Sequence, residues 1–422
     1  MTFSGQLSKP LRVLVSEGNS TSAREAVTIL GLSGHLAEIC DPSPYCLARF
    51  SRFVRKFHRC PGMRDDPGGF LTFVERLLAR RHFDVLLPIH EQGFLFARVH
   101  ARLADRVGLA LPSFADYRSL HNKAGLSRLL GDLHLPQPAT HIVSSENEAR
   151  AAARFPCVVK TSVGTASQGI WFVHNDGDLN EALRELSARG SFEDEVLVQE
   201  FIFGATEKTQ AVFCRGKLVG SHAYRQLAAG IGGGDAIKES VDRPQVRSAL
   251  AMIGEKLAWD GALSLDYVMP ENDNTPLFVD GNPRLVEPMN AFLAGTDLVG
   301  LLLRISLGEA APATDDGRAG IRTHLAMQAL LGCASRGGTR SDILWECNRL
   351  RVGQAPYADS TEELTPVRLD WVSAVPLSLL AVALLAAPKS AATLARRGFG
   401  AHLLDAKSIR VIGVRIHKAQ PM

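Results

Sequence analysis

The sequence predicts an α/β (α+β) fold, with a parallel sheet first, antiparallel hairpins after it and an extra C-terminal segment. Two observations support this class. Between residues 10 and 88, short apolar runs alternate with helical segments, which is typical of a parallel sheet covered on both faces. Residues 264–284 read as two strands, because apolar residues alternate with small or polar ones on either side of the turn-forming stretch 270–275.

Composition limits the class of protein. The chain has 422 residues, enough for two to four domains, and its 46% hydrophobic and 22% charged residues are ordinary for a globular protein. A net charge of +3 is too small to indicate a nucleic-acid partner. The seven cysteines contain no C-x-x-C pair, which argues against a zinc site or a disulfide framework. No signal-peptide pattern begins the sequence, so we expect a cytoplasmic protein.

The N-terminal segment predicts strands at 11–15, 35–40 and 83–88 and helices at 23–32 and 69–81. The turn after the first strand lacks G-x-G-x-x-G, so a dinucleotide site is not supported. A basic cluster follows the second strand, and we interpret it as a solvated helix face, with an anionic substrate as the alternative. Its members are Arg49, Arg52, Arg55, Lys56, His58 and Arg59.

The hairpin at 264–284 carries the strongest chemical pattern. Asp266 and Asp280 fall on its two strands, and Asn282 points the same way as Asp280 in extended chain. Two carboxylates and an amide oxygen suit a hard divalent cation such as Mg²⁺, and Arg284 adds a fork donor for a phosphoryl oxygen. The alternative is a surface hairpin whose polar residues only form turns.

A second pattern lies between two predicted strands, 155–160 and 170–173. The first strand ends in Lys160, and the small-residue loop 161–169 would let backbone N–H groups approach phosphate closely. The Walker sequence G-x-x-x-x-G-K-[ST] is absent.

Together these motifs resemble the ATP-grasp superfamily. Asp280-Gly-Asn-Pro-Arg284 resembles its E-x-N-P-R signature with Asp in place of Glu, and Asp266 stands at the family's other metal position. The resemblance covers roughly residues 10–310. It implies an ATP-grasp fold with a Rossmann-like pre-grasp domain at 1–118, a lid subdomain at 119–203 and a catalytic subdomain at 204–310. Residues 311–422 form a C-terminal domain of uncertain role.

The resemblance also implies nucleotide contacts. Lys160 is expected on the α- or β-phosphate, and Lys123 would approach the phosphates unless it is simply a helix-start lysine in water. Gly164, Ser167 and Gly169 would form the flexible lid over the nucleotide. Glu200, Phe201 and Ile202 would contact adenine, and Glu207 would accept hydrogen bonds from the ribose hydroxyls.

A glycine-rich stretch at 227–235 is predicted to form a mobile loop. We expect it, through Gly230 and Ile231, to close over substrate or nucleotide, with a plain surface loop as the alternative. Arg225, just before this loop, is a candidate for binding a substrate carboxylate or the acyl phosphate.

The implied activity is that of an ATP-dependent carboxylate-amine ligase. ATP and two Mg²⁺ or Mn²⁺ ions are the expected cofactors. The metal ligands are Asp266, Asp280 and Asn282, and the catalytic residues are Arg284, Lys160 and Arg225. A small carboxylate and an amine are the expected partners, without nucleic acid. The alternatives are kinase-type or carboxylase-type chemistry and a non-catalytic nucleotide-binding or membrane-associated module.

The apolar run 375–387 lies outside the resemblance. Its thirteen residues are too few to span a bilayer as a helix, which needs about 20. We expect a buried helix, with a homodimer interface as its context, and a helix on a membrane surface as the second interpretation.

Overall fold

The computed structural model describes residues 9–164, 169–311, 313–314, 317–399 and 403–415. Three sheets organise this part of the chain, with four, four and seven strands. The expectation for Ser167 lies outside the described residues.

The N-terminal domain is a parallel sheet with strand order β3-β2-β1-β4. Its short apolar strands alternate with helices, as the sequence predicts. The strands are β1 (Arg12–Val15), β2 (Leu36–Asp41), β3 (Val54–Arg59) and β4 (Val85–Leu87), and the helices are α1 (Thr21–Leu32), α2 (Pro67–Arg80), α3 (Gln92–Arg98), α4 (His100–Ala104) and α5 (Phe114–His121).

The basic cluster after β2 is not a helix face. Part of it forms β3, which pairs with β2 at the edge of the sheet. His58 contacts Glu38 at 2.7 Å between Nε2 and Oε2, so one cluster member completes a partly buried ion pair. The helix interpretation was therefore wrong for residues 54–59, which pair with β2 and whose β-favouring Val54 and Phe57 pack partly buried against the core.

The lid subdomain is a small antiparallel sheet with strand order β5-β8-β6-β7. Leu179, Leu183 and Leu186 of its longest helix pack against the sheet. The elements are α6 (Lys123–Asp132), β5 (Thr140–Val143), α7 (Glu146–Ala152), β6 (Cys157–Thr161), β7 (Ile170–Val173), α8 (Asp176–Ala188) and β8 (Val196–Glu200).

The largest sheet has the order β13-β12-β9-β10-β11-β14-β15. Its strands are β9 (Gly204–Cys214), β10 (Lys217–Ala229), β11 (Asp235–Val241), β12 (Gly261–Pro270), β13 (Leu277–Asn282), β14 (Arg322–His324) and β15 (Ser360–Glu362). The accompanying helices are α9 (Pro244–Lys256), α10 (Met289–Ala294), α11 (Leu298–Ser306), α12 (Ala326–Ser335), α13 (Arg340–Val352), α14 (Ala374–Ala386), α15 (Ala391–Phe399) and α16 (Ala406–Arg415).

The N-terminal domain and the large sheet share one apolar core. Val27 and Ile29 of α1 belong to the same buried cluster as Leu302 of α11 and Val212 of β9. This shared core brings the first turn of α1 close to the large sheet, on the face that carries Asp266 and Asp280.

The predicted boundary at residue 310 does not separate a C-terminal domain. β14 pairs with β11, so the later residues extend the large sheet. Leu404 and Ile412 pack into the core of the N-terminal domain. Arg410 also reaches the lid subdomain, with 2.7 Å between its Nη2 and the Asp194 carboxylate. The C-terminal residues therefore contact all three sheet-containing parts.

The apolar run forms helix α14, but the helix is only half buried. Leu380 and Leu384 pack inward, whereas Leu379 and Val382 are 62% and 65% exposed. The expectation of a buried helix is thus met on one face only. Among the described residues, no helix combines the length and apolarity needed to cross a bilayer.

Candidate active site

The hairpin β12–β13 brings the two predicted metal-binding aspartates together. Asp266 pairs in register with Asp280, and Ser264 pairs with Asn282. The odd-numbered residues of β12, among them Leu263, Leu265 and Tyr267, pack into a buried core on one face of the sheet. Because successive side chains of a strand point to opposite faces, Asp266 is directed away from that core.

The two carboxylates disfavour each other's charge, and a bound cation would relieve that repulsion. Burial raises the pKa of Asp266 to about 6, Lys208 opposes the shift, and the Asp280 carboxylate adds to it. Lys123 already approaches the pair, with 3.1 Å between its Nζ and Asp280 Oδ2. Two neighbouring carboxylates with an amide oxygen form an oxygen donor set that fits Mg²⁺.

Two predicted phosphate-binding lysines converge on the same hairpin. The Nζ of Lys160 donates to Gln199 Oε1 at 2.7 Å and to the Val279 carbonyl at 3.3 Å, next to Asp280. Burial lowers the pKa of Lys160 to about 8, Asp280 opposes this shift, and Lys123 adds to it. Lys123 also donates to the Gly164 carbonyl at 2.9 Å, which ties the lid loop to the hairpin.

A cavity of about 570 Å³ opens over the two aspartates; we call it the large cavity. It lies between the hairpin β12–β13, the start of α1, the glycine-rich turn that joins β10 to β11, and the C-terminal residues Ala392, Ala395 and Leu403. Asn282 and Arg284 line it together, and their side chains are hydrogen-bonded at 3.3 Å. Its other charged or titratable lining residues are His90, Lys208, Asp235 and Glu287.

The predicted adenine-binding residues lie at the end of strand β8 and just after it, at the joint between the lid subdomain and the large sheet. The Phe201 N–H donates to the Pro156 carbonyl at 3.4 Å. The Phe201 ring packs edge-on against Phe203, with 4.9 Å between centroids, and against Phe172, with 6.0 Å. Glu200 is exposed and Ile202 is half-buried beside this aromatic group.

Glu207 and Arg225 do not reach the large cavity. Glu207 pairs in register with Tyr267, on the face opposite Asp266. Its carboxylate accepts from Arg225 Nε at 2.9 Å, from Arg243 Nε at 2.7 Å and from the Tyr267 hydroxyl at 3.1 Å. The ribose role for Glu207 and the substrate role for Arg225 therefore stay predictions. In this structure Glu207 is buried in an ion-paired group beside α9, and the Arg225 side chain of that group is 39% exposed.

The glycine-rich stretch forms a short turn between β10 and β11. The Gly230 N–H donates to the Gly234 carbonyl at 2.7 Å, and the Ile231 N–H donates to Gln328 Oε1 at 3.1 Å. Ile231 and the three glycines after it line the large cavity, whereas Gly230 does not. Gly169 begins the returning lid strand at a φ of +81°, which favours glycine.

Sequence reasoning missed Lys208 and Glu287. Lys208 pairs in register with Asp266, and its Nζ lies 2.8 Å from the Asp235 carboxylate. The alternation of β9 could have predicted that Lys208 points to the face opposite the buried Ala211 and Phe213. Its pairing with Asp266 on β12 depends on tertiary structure, which the sequence of β9 does not determine. Glu287 follows the Arg284 motif by three residues, and no motif signals it.

Glu287 belongs to a buried cluster of three glutamates around one lysine. Lys238 Nζ lies 2.6 Å from Glu287 and 2.7 Å from Glu363, and Glu25 completes the group. Burial opposes the charge on Lys238, but these carboxylates outweigh it and raise the pKa of Lys238 well above its usual value. Burial also raises the pKa of Glu25, and the Glu363 carboxylate adds to the shift.

This cluster makes stability depend on pH. Burial raises the pKa of Glu363 to about 7; Lys238 opposes the shift and Glu287 adds to it. Between about pH 4.5 and 7 the folded chain therefore holds a proton that the unfolded chain releases, and the free energy of unfolding falls as pH rises. As pH rises through this window, we expect the free energy of unfolding to fall by about 3 kcal/mol more in the wild type than in Glu363→Gln. Urea unfolding at several pH values measures this difference.

The control is Glu255→Gln, which changes an exposed glutamate on α9 and should follow the wild-type profile. Parallel pH profiles for Glu363→Gln and the wild type would contradict the assignment of the proton to this cluster.

Comparison with solved structures identifies proteins of similar fold. No known family model matches the sequence. N5-carboxyaminoimidazole synthetase from Staphylococcus aureus, complexed with ADP, is 12% identical over 79% of this chain and 87% of that chain, with a TM-score of 0.60. The biotin carboxylase domain dimer of Hydrogenobacter thermophilus 2-oxoglutarate carboxylase, in complex with MgADP, ADP and bicarbonate, is 15% identical over 74% of both chains, with a TM-score of 0.59.

L-amino acid ligase from Bacillus licheniformis is 14% identical over 71% of this chain and 75% of that chain, with a TM-score of 0.54. These three proteins are ATP-grasp enzymes, and this chain has the ATP-grasp fold. The predicted fold class is thereby confirmed.

Proposed function

We propose that this chain is an ATP-dependent ligase that activates a carboxylate as an acyl phosphate and couples it to an amine. ADP and phosphate are released. The substrates are a small metabolite, an amino acid or a natural-product intermediate. One observation carries the proposal: Asp266 and Asp280 are paired in register at the floor of a large cavity, beside Asn282 and Arg284.

The donor set assigns a role to each side chain. Asp266, Asp280 and Asn282 would hold Mg²⁺ or Mn²⁺, two ions in our proposal. A bound ion supplies positive charge for the phosphates of ATP. Lys160, whose ammonium lies beside β13, and Lys123, which bridges Asp280 and the lid loop, would bind phosphate oxygens.

The chemical step needs positioning more than a nucleophilic side chain. The substrate carboxylate attacks the γ-phosphorus, and ADP leaves as the acyl phosphate forms. Arg284, lining the cavity beside Asn282, offers fork donors to the transferred phosphoryl group. The amine then attacks the acyl carbon, and phosphate leaves. Electrostatic stabilisation by the lysines and Arg284 is the main catalytic contribution.

The solved relatives support this chemistry at the level of the class. One is described as an L-amino acid ligase, and another is complexed with ADP. The biotin carboxylase domain, with bound bicarbonate, favours carboxylase-type chemistry as a second candidate, in which bicarbonate is the activated acid. Bicarbonate therefore belongs in any substrate panel. The cytoplasmic location and the homodimer stay predictions.

The test is release of ADP and phosphate from MgATP across a panel of carboxylic acids and bicarbonate, each with and without amines. Wild type is compared with Asp280→Ala and with Asp273→Asn, which alters an exposed aspartate at the tip of the same hairpin. Hydroxylamine in place of the amine traps an acyl phosphate as a hydroxamate.

Phosphate release that needs both an acid and an amine, and that is lost only in Asp280→Ala, is the expected result. Release with bicarbonate alone among the acids favours the carboxylase candidate. ATP binding without turnover on any pair would favour a nucleotide-binding module and would overturn the ligase proposal.

A further inference from the structure

A second cavity of about 190 Å³ adjoins the large cavity; we call it the side pocket. It lies between the N-terminal domain and the helices that follow β14. Leu47 lines it from the N-terminal side, and Met327, Leu331, Leu380 and Leu394 line it from α12, α14 and α15. The half-exposed helix α14 thus contributes part of its inner face to this pocket.

The two cavities are neighbours because they share wall residues. Thr21, Gln328 and Ala395 line both. Gln328 is held in place by its bond from the Ile231 N–H, and Thr21 Oγ1 donates to Glu287 at 3.0 Å. A molecule whose reacting group lies in the large cavity can therefore direct a substituent past these three side chains.

The size of the side pocket limits what it can hold. The side pocket has a volume of about 190 Å³. An apolar cavity of about 150 Å³ is large enough to bind benzene. A benzyl or isobutyl group therefore fits, whereas an indole would be crowded.

The lining also sets the chemistry of the occupant. Its polar side chains are neutral, and two of them, Thr21 and Gln328, stand at the boundary with the large cavity. A charged substituent would lose its hydration there without gaining an ion partner. An apolar substituent would leave water and contact leucine and methionine side chains, which is favourable.

We propose that the side pocket binds the apolar side chain of the substrate whose carboxylate or amine reacts in the large cavity. The preferred side chains are aliphatic or aromatic groups of isobutyl to benzyl size. This inference rests on the proposed ligase function and adds the substrate class. Either substrate, acid or amine, can supply such a group, and the experiments below have a separate arm for each.

The first experiment measures kcat/KM for acids and amines whose side chains grow from methyl through isobutyl and benzyl to indolylmethyl. Leu47→Trp fills the pocket and should reduce kcat/KM for benzyl-bearing substrates at least tenfold while leaving methyl-bearing ones within about twofold. Met327→Ala enlarges the pocket and should move the preference toward indolylmethyl. Leu344→Trp, at a 56% exposed leucine on α13, is the control and should match the wild type.

The second experiment needs no turnover. The chain contains seven methionines, and labelling their methyl groups with ¹³C allows the Met327 signal to be assigned by its loss in Met327→Leu. With Mg²⁺ and a non-hydrolysable ATP analogue present, 3-phenylpropionate tests the acid arm and benzylamine tests the amine arm. One of them should shift the Met327 signal, whereas acetate and methylamine should not.

The outcomes separate the two proposals. No phosphate release from any pair, together with a shifted Met327 signal, would overturn the ligase function and support the side pocket. A Met327 signal that neither probe moves would overturn the side pocket, and so would size preferences that are identical in the wild type and both pocket variants.

Discussion

Asp266→Asn is expected to slow phosphate release about 10²–10³-fold while leaving the metal-free chain at least as stable as the wild type. The substitution keeps an oxygen at the same place but removes the charge that, in the proposed function, would hold a divalent cation. Burial and the Asp280 carboxylate both disfavour the ionised form of Asp266, as its pKa of about 6 indicates. Removing that charge should therefore stabilise the metal-free folded chain, although it weakens catalysis.

Steady-state kinetics at increasing Mg²⁺ measures the first effect, and urea unfolding without metal measures the second. The half-saturating Mg²⁺ concentration should rise in Asp266→Asn. Asp273→Asn on the same hairpin serves as the control and should change neither quantity. A variant that is less stable than the wild type yet fully active would show that Asp266 has a structural role only.

Lys238→Met is expected to lower the free energy of unfolding by about 3–5 kcal/mol. The lysine is fully buried, and its ammonium contacts the carboxylates of Glu287 and Glu363. Without it, the three buried carboxyl groups of the cluster lose the positive charge at their centre, so each must either stay ionised without a partner or take up a proton. The cluster joins α1, β11 and the chain after β15, so the loss should loosen the contact between these parts.

Chemical unfolding measures this loss. Lys217→Met removes an exposed lysine at the start of β10 and should cost less than about 1 kcal/mol. Adding Glu363→Gln to Lys238→Met should restore part of the stability, because one uncompensated charge is removed. A double variant as unstable as Lys238→Met alone would argue against charge as the cause.

The predictions from sequence were most accurate where a pattern is local. The strand at 170–173 and the hairpin around 270–275 depend on alternation and turn composition, which neighbouring residues determine. The basic cluster at 49–59 was misjudged because its charges were weighed more heavily than the β-favouring residues Val54 and Phe57 within it. At α14, apolarity was clear, but apolarity does not say which face is covered.

The sequence by itself determined the hairpin at 264–284, the lysine near the end of β6 and the ATP-grasp fold class. The hairpin and the lysine-ending strand depend on local alternation and turn composition, whereas the fold class was implied by the order of the motifs along residues 10–310. Tertiary structure alone decided that Glu207 and Arg225 face away from the cavity, because a strand's facing depends on its partner's register. It also decided that Lys208, Glu287 and the C-terminal helices enclose the site, since these residues meet only when distant segments pack together.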